Sequence, residues 1–569
     1  MANQLTVVTE RIDDVVLLLH VMMKSKLPEL LNENLPRHWK QKGLDWGWVV
    51  VIWLAYILSK GDHRKVVVRE WIEQRRSMIE QVCGLQLRET DFTDDRLAIV
   101  LGKLSEASTW QVIETALSRQ TLRIYQLKSA CVRLDTTTVS SHHLLSEDGL
   151  FQFGHSKDDA SLPHLKAMLA SLDPLGMPLA THIVSGEKAD DGLYLPIFEQ
   201  VRQTFEAQGL LWVGDCKMGA LATRAQINHH QHYYLVPLAR VGTVPELLIQ
   251  GLTYALEGKQ PRMDVKRLDK KGQPQVIATG YEFSRVLETE SDEGIKIQWK
   301  ERVLLIHSPV HAQQQQRGLD QRLMKATKQL QALTPDIGRG KRQLRDLSQL
   351  QDKANAILKT YRVEGLLEYH YEYQPAVKQR QARYQITQII RHQEALEQAQ
   401  KTFGWRVYVT NAPFEQLSFE QAVLTVRDSW IQERGFARLK GKSLGASPLF
   451  VQRDDQAQGL MHLLSLGLRI LTLIEFVVER QLKKQGETLH GLFPGNPKRA
   501  TARPTTERIL QAFKPITLTI MKVSDQEYGH VTPLNALQQK IIQLLELLPD
   551  IYASLESSPV ESSVPTNMH

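Results

Sequence analysis

Residues 131–140 read CVRLDTTTVS. The run is short, apolar in bulk and rich in β-branched residues, which predicts a buried strand. Its one acid, Asp135, is costly in such a strand unless paired, hydrogen bonded or bound to a cation. Working outward, HLKAMLASLDPLG (164–176) and MPLATHIVSG (177–186) predict two more strands separated by a Pro-Leu-Gly turn. A helix is expected over about 194–208, followed by the buried strand LLWVGD (210–215), which ends on Asp215. A second helix, about 218–229, leads to HYYLVPLA (232–239). A meander of strands followed by alternating helix and strand predicts an α/β sheet domain.

Residues 1–118 read as a helical N-terminal domain, with Trp46, Trp48, Val50, Val51, Trp53, Leu54 and Ile57 as its core stripe. Between Lys60 and Arg76, six cations stand against Asp62, Glu70 and Glu73, which describes either a solvated helix face or a DNA-binding one. The sheet domain is expected over 119–240 and again over 403–485, where WRVYVTN (405–411) supplies one more buried strand. Helices are expected at about 419–439 and 456–484. Between the two parts, residues 241–402 read as an insertion. Tyr281–Glu288 and Ile295–His307 suggest antiparallel strands, and Leu319, Leu323, Ala326, Leu330 and Leu333 follow the narrow apolar seam of a helical arm. A second arm helix runs through Leu344, Leu347, Ala354 and Ile357. A half-exposed strand over 367–373 and a helix over about 377–401 complete the insertion. Residues 486–556 form a basic C-terminal region, in which Lys498, Arg499, Arg503, Arg508, Lys514 and Lys522 face the single acid Glu507 between 494 and 522. The Ser/Pro-rich tail, 557–569, is expected to be disordered.

At 569 residues the chain has room for roughly four domains of about 150 residues. Hydrophobic residues at 42% and charged residues at 23% exclude a disordered, collagen-like or purely coiled-coil protein. The net charge of +7 is compatible with a polyanionic partner without establishing one. Cys83, Cys131 and Cys216 are too widely spaced for a disulfide framework or a zinc site. The start, MANQLTVVTERIDD, has acids where a signal peptide needs a basic region. The apolar run Trp46–Leu58 is short of the roughly 20 residues that span a bilayer, and 460–478 is interrupted by His462, Arg469 and Glu475. The expectation is a reduced, cytoplasmic protein with no membrane partner.

Three acids stand out by position: Asp135 in the first strand, Asp215 at the end of another, and Glu433 on a helix. Converging carboxylates repel, and hard divalent cations such as Mg²⁺ or Mn²⁺ are the usual remedy. Two such ions suit phosphodiester displacement. Each acid taken alone is more often a helix cap or turn residue. Asp190 and Asp191 have a similar claim, as do His142 and His143, an acid/base pair or plain loop residues. Trp299 reads as a packing residue of the insertion, with stacking on a flipped base as the alternative.

RLDTTTVS (133–140), GHSKDDASLPHLKAMLASLDPLGMPL (154–179), SGEKADDGLY (185–194), VGDCKMGALATRA (213–225) and WIQERGFARLKG (430–441) together resemble bacterial cut-and-paste insertion-sequence transposases with a DDE triad. The motifs run in family order over most of residues 125–485. The resemblance implies an RNase H-like catalytic core, interrupted before the Glu by a β-rich insertion, and a triad of Asp135, Asp215 and Glu433 holding Mg²⁺ or Mn²⁺, two ions in all. It implies cutting at terminal inverted repeats and joining of 3′ ends to target DNA. It further implies a homodimer in the active DNA complex and a place on the bacterial nucleoid. In the family's third block a Tyr and an Arg precede the Glu by seven and four positions; here Val426 and Ser429 stand there. On one continuous helix Val426, Ser429, Glu433 and Lys440 share a face, placing Lys440 toward a phosphate. Arg427, Arg434 and Arg438, elsewhere around the helix, are candidates to supply the missing positive charge, with Arg434 and Arg438 expected to contact DNA. Lys498, Arg499 and Arg503 are candidate DNA contacts. The rival expectations are a metal-dependent nuclease of the same fold and a domesticated, non-catalytic DNA-binding protein.

Overall fold

The computed structural model describes residues 5–127, 130–205, 208–269, 271–290, 294–336, 343–377, 381–523 and 526–556. The tail expected to be disordered, 557–569, lies outside the described residues. The chain divides into two units, Met1–Tyr234 with Asp428–His569, and Leu235–Arg427.

The first unit begins with a strand, Leu5–Arg11 (β1), where helix was expected. Thr6, Val7, Val8 and Thr9 are all β-branched, which disfavours helix and suits a pleated edge. Helices Val15–Lys24, Leu27–Asn34, Trp46–Lys60, Asp94–Ser105 and Ala107–Ile124 follow. The helix Trp46–Lys60 is apolar around its whole circumference, and all but two of its residues are buried. That is the mark of a core helix. Asp94–Ser105 starts on Thr93, whose hydroxyl accepts from the Arg96 N–H, and carries Asp94 and Asp95 in its positive first turn.

Strands Cys131–Ser140 (β2), His164–Leu172 (β3), Met177–Ser185 (β4) and Leu211–Val213 (β5) form the sheet of this unit. β2 pairs antiparallel with β3, β3 antiparallel with β4, and β2 parallel with β5 on its other side. β3 is buried at every position, so both faces of the sheet are covered at its centre. The helices after β4 and β5 are shorter than expected, Tyr194–Arg202 and Leu221–His229.

The second unit takes up the chain in the strand Tyr233–Pro237 (β6), then Met263–Leu268 (β7), Pro274–Glu290 (β8) and Lys296–His307 (β9). A helix pair, Pro309–Leu333 and Leu347–Tyr361, precedes a ribbon of Leu367–Gln374 (β10) and Arg383–Arg391 (β11). The helix Gln393–Lys401 and the strand Trp405–Thr410 (β12) follow. β12 pairs with both β6 and β9, β9 with β8, and β8 with β7, all antiparallel. Leu319, Leu323, Ala326, Leu330, Ala354 and Leu358 form one core with Val363, Leu367 and Leu396. The arm therefore packs on its own ribbon. The helix expected over 377–401 is in part the strand β11. RYQITQIIR packs Ile386 and Ile389 against the arm core, and its pairing with β10 outweighs the local helical pattern.

One helix was expected over 419–439. It is broken into Phe419–Arg427 and Trp430–Lys440 by a turn at Asp428 and Ser429. Back in the first unit, the long helix Asp454–Gln485 is, among the described residues, the one helix long and apolar enough to cross a bilayer, and it is almost wholly buried in protein. Its interrupting polar groups have protein partners. His462 stacks on Trp110 at 4.3 Å and bonds the Leu104 carbonyl at 2.7 Å, and Arg469 donates to Ser118 at 3.1 Å. Strands Thr517–Val523 (β13) and Gln526–Val531 (β14) close the unit, with β13 between β14 and β1. Arg11 pairs with Thr517 across this sheet, and Lys514 Nζ reaches the buried Asp14 at 2.8 Å.

Candidate active site

The parallel register of β2 and β5 pairs Arg133 with Val213. Two residues further along each chain stand Asp135 and Asp215. The two carboxylates are near enough for the charge of Asp215 to act on Asp135. β5 ends at Val213, and Asp215 lies just past that end, in the turn toward Leu221–His229. Asp135 lies within β2, and its side chain keeps 29% exposure. Burial pushes the Asp135 carboxyl above the ordinary aspartate range, with the charge of Asp215 adding to the push and Lys157 opposing it.

Each aspartate has its own partners. Asp135 Oδ1 accepts the Thr136 N–H at 2.7 Å and stands 3.5 Å from Lys157 Nζ. Asp215 Oδ1 accepts from the Tyr194 hydroxyl at 2.6 Å and from the Lys217 N–H at 2.8 Å. Tyr194 has no exposed surface, and burial together with Asp215 raises its pKa far above the usual phenol value. Tyr194 and Lys157 were not singled out from the sequence. The signal was present, since both lie inside quoted motifs, SGEKADDGLY and GHSKDDASLP.

Glu433 sits in the first turn of the helix Trp430–Lys440. Its neighbour Gln432 is buried and donates to the Leu169 carbonyl at 3.0 Å, and Leu169 is the cross-strand partner of Asp135. The backbone of Glu433 is thereby held beside β2 and β3. Its side chain is exposed, with the Ser429 hydroxyl 3.5 Å from Oε1. Among the described residues no three His, Cys, Asp or Glu side chains are gathered as a metal site would need. The structure brings Asp135 and Asp215 together and leaves the Glu433 carboxylate outside that pair. The donor set of the pair, two carboxylates of which Asp135 also faces the Lys157 ammonium, is the hard-oxygen kind that a divalent cation takes.

The helix break corrects the shared-face argument. Val426 ends on the preceding helix, which belongs to the other unit, whereas Ser429 and Glu433 remain neighbours. Lys440, at the far end of the Glu433 helix, bonds Asp158 at 2.6 Å. Arg434 pairs with Glu475 at 2.5 Å. Arg438 is buried against Glu475 and Glu507, the latter at 2.9 Å, so its donors are used inside the protein and it offers no free guanidinium to a phosphate. Arg427 is directed to the Ile277 carbonyl at 3.4 Å.

The other candidates also find places. Asp190 pairs with Lys166 at 2.8 Å and Asp191 with Lys217 at 3.2 Å. His143 stacks on Phe151 and stands 3.3 Å from Asp454, while His142 is exposed. Trp299 is 5% exposed, as a packing residue is. Between Lys60 and Arg76, Arg64 is held by Asp62, Arg76 by Glu73 and Lys65 by Asp94, which describes a charge-balanced face. Lys498, Arg499 and Arg503 lie exposed on the loop before the helix Thr506–Gln511. Arg499 and Arg508 both stack on Phe493, at 3.9 and 4.5 Å.

No family model matches the chain, and no curated protein matches it. Among solved structures, a piggyBac transposase synaptic complex with hairpin DNA is similar at 9% identity with a TM-score of 0.26. The similarity covers 52% of this chain and 62% of that one, so the chain spans less than two thirds of the neighbour's length.

Proposed function

We propose that the protein is a metal-dependent DNA transposase, and that Asp135, Asp215 and Glu433 are its catalytic carboxylates. The observation that carries this reading is the pair Asp135, within β2, and Asp215, just past the end of the adjacent parallel strand β5, whose charge acts on Asp135. Like charges placed so close in a half-buried site are unfavourable without a cation, which a structural role would not require. Mg²⁺ or Mn²⁺ bound there would supply activation of a water or 3′-hydroxyl and stabilisation of the leaving oxygen.

Tyr194 and the Lys217 N–H fix one oxygen of Asp215, which orients the carboxylate for a ligand. Glu433, held beside β2 by Gln432, completes the set when DNA and cation are present. Lys440 stands near this site through Asp158 and is available to a phosphate on exchange of that partner. The loop carrying Lys498, Arg499 and Arg503 contributes phosphate contacts at the terminal repeats. The active complex holds two DNA ends and two copies of the chain, in the bacterial cytoplasm on the nucleoid.

Incubation of the full chain and Mg²⁺ with DNA carrying the inverted repeats that flank its gene, plus a supercoiled target plasmid, tests the reading. Cleaved ends joined to the plasmid, lost in Asp135→Asn, are expected. Cleavage without joining would replace the transposase with a nuclease. Binding without cleavage would leave a non-catalytic DNA-binding protein.

A further inference from the structure

The loop carrying GHSKDD is fastened to β2 by the Lys157 backbone as well as by its side chain. The Lys157 N–H donates to Thr138 Oγ1 at 2.9 Å, and the same hydroxyl stands 3.3 Å from Asp158 Oδ2. Asp158 Oδ1 in turn accepts from Lys440 at 2.6 Å, which ties the loop to the end of the Glu433 helix. The Lys157 side chain, 40% exposed, runs from this anchored backbone to the Thr136 carbonyl at 2.5 Å and Asp135 Oδ1 at 3.5 Å. It is the cation that faces Asp135. Asp215 has no such neighbour in its hydrogen bonds and is served by a hydroxyl and a backbone N–H. A carboxylate within a strand needs a counter-charge, and here an ammonium on a flexible stem provides it.

We propose that Lys157 is a tethered placeholder cation at Asp135, displaced by the divalent ion and then free to bind a DNA phosphate. This rests on the metal-site reading above. An ammonium within 3.5 Å of Asp135 Oδ1 occupies the space that an ion on that oxygen needs, and two cations there repel. The displaced ammonium has no second acid to go to among its own bonded partners, since Asp158 is engaged by Lys440 and Thr138. A phosphate oxygen is the anion that DNA itself brings. Lys157 is thus a device that keeps the site charge-balanced when empty and links ion entry to DNA contact. No covalent step is involved.

Calorimetric titration of Mn²⁺ alone into the full-length protein, without DNA, separates this from the reading it rests on. Lys157→Met should bind Mn²⁺ about tenfold more tightly than wild type, because the competing charge is gone. Lys157→Arg, which keeps the charge, should remain near wild type, and Asp135→Asn should lose the site. With Mn²⁺ saturating, Lys157→Met should bind terminal-repeat DNA more weakly. The loop is anchored through backbone and Asp158, so the variant is expected to melt as wild type does. A purely packing role for Lys157 would leave the Mn²⁺ affinity of Lys157→Met unchanged or lowered, and that result overturns the proposal. Absence of any Asp135-dependent Mn²⁺ binding in wild type would overturn the metal-site reading instead.

Discussion

Glu114 carries a buried carboxylate, 1% exposed, inside the first unit. Its Oε2 accepts from the Thr181 N–H at 2.9 Å and the Gln200 amide at 3.1 Å, while Oε1 is buried without a hydrogen-bond partner. Burial pushes its pKa up to about 7, with Arg469 and those hydrogen bonds offsetting part of the rise. A raised carboxyl pKa means the folded protein binds the proton more tightly than the unfolded chain. That contribution is fully present below about pH 4.5 and is lost as pH rises through about 7. It amounts to about 3 kcal/mol across that window. Glu114→Gln should therefore flatten the fall in thermal stability between pH 4.5 and 7, measured by calorimetry; an unchanged slope would place the titration elsewhere. The candidate aspartates were legible because an acid in a buried β-branched run is conspicuous. Glu114 was not, because its helix Ala107–Ile124 is amphipathic and only the fold shows which polar residue faces inward.

Among the elements, the closest helix packing lies between Asp94–Ser105 and Asp454–Gln485. A Cβ added at Gly459 would stand 2.0 Å from the Leu101 carbonyl oxygen, whereas one at Gly102 would meet nothing nearer than Asp455 at 3.8 Å. Gly459→Ala should cost about 1–3 kcal/mol as the two backbones part. Gly102→Ala should gain up to about 1 kcal/mol from helix propensity. Equal melting temperatures for the two variants would contradict the close approach. In the second unit, the arm and its ribbon leave from the end of β9 and return at the start of β12, where the Ser308 N–H donates to Gly404 O at 2.9 Å. Replacing residues 309–402 with a two-residue turn should preserve the pairing of β9 with β12, read by hydrogen exchange of Leu305 and Val407 amides. Loss of protection there would make the arm part of that sheet's core. Strands flanked by their partners, such as β2 to β4, were readable from local pattern. β1 was not, because β13 lies some five hundred residues away. The break at Asp428 and Ser429 was equally hidden, since the flanking segments share helical spacing.

For the molecule as a whole, the net charge of +7 is less informative than where the cations are spent. Arg438, Arg434 and Lys514 are held by internal acids, while Lys498, Arg499 and Arg503 are exposed. Such long-range ion pairs leave no trace in sequence spacing, so the basic run looked uniform. Neutralising those three exposed residues together should reduce the slope of log K against log salt for terminal-repeat DNA by about two to three. An unchanged slope would return the loop to plain solvent. The account depends most on Asp135, Asp215 and Glu433 acting together, although the Ser429 hydroxyl stands 3.5 Å from Glu433 Oε1. Crystals of the full chain with terminal-repeat DNA and Mn²⁺, read by anomalous scattering, measure this directly. The account predicts one or two Mn²⁺ peaks bridging Asp135 and Asp215, with Glu433 drawn in as a ligand of at least one. Peaks held by other residues, or a DNA-bound site in which Glu433 stays away from the metal, would contradict it.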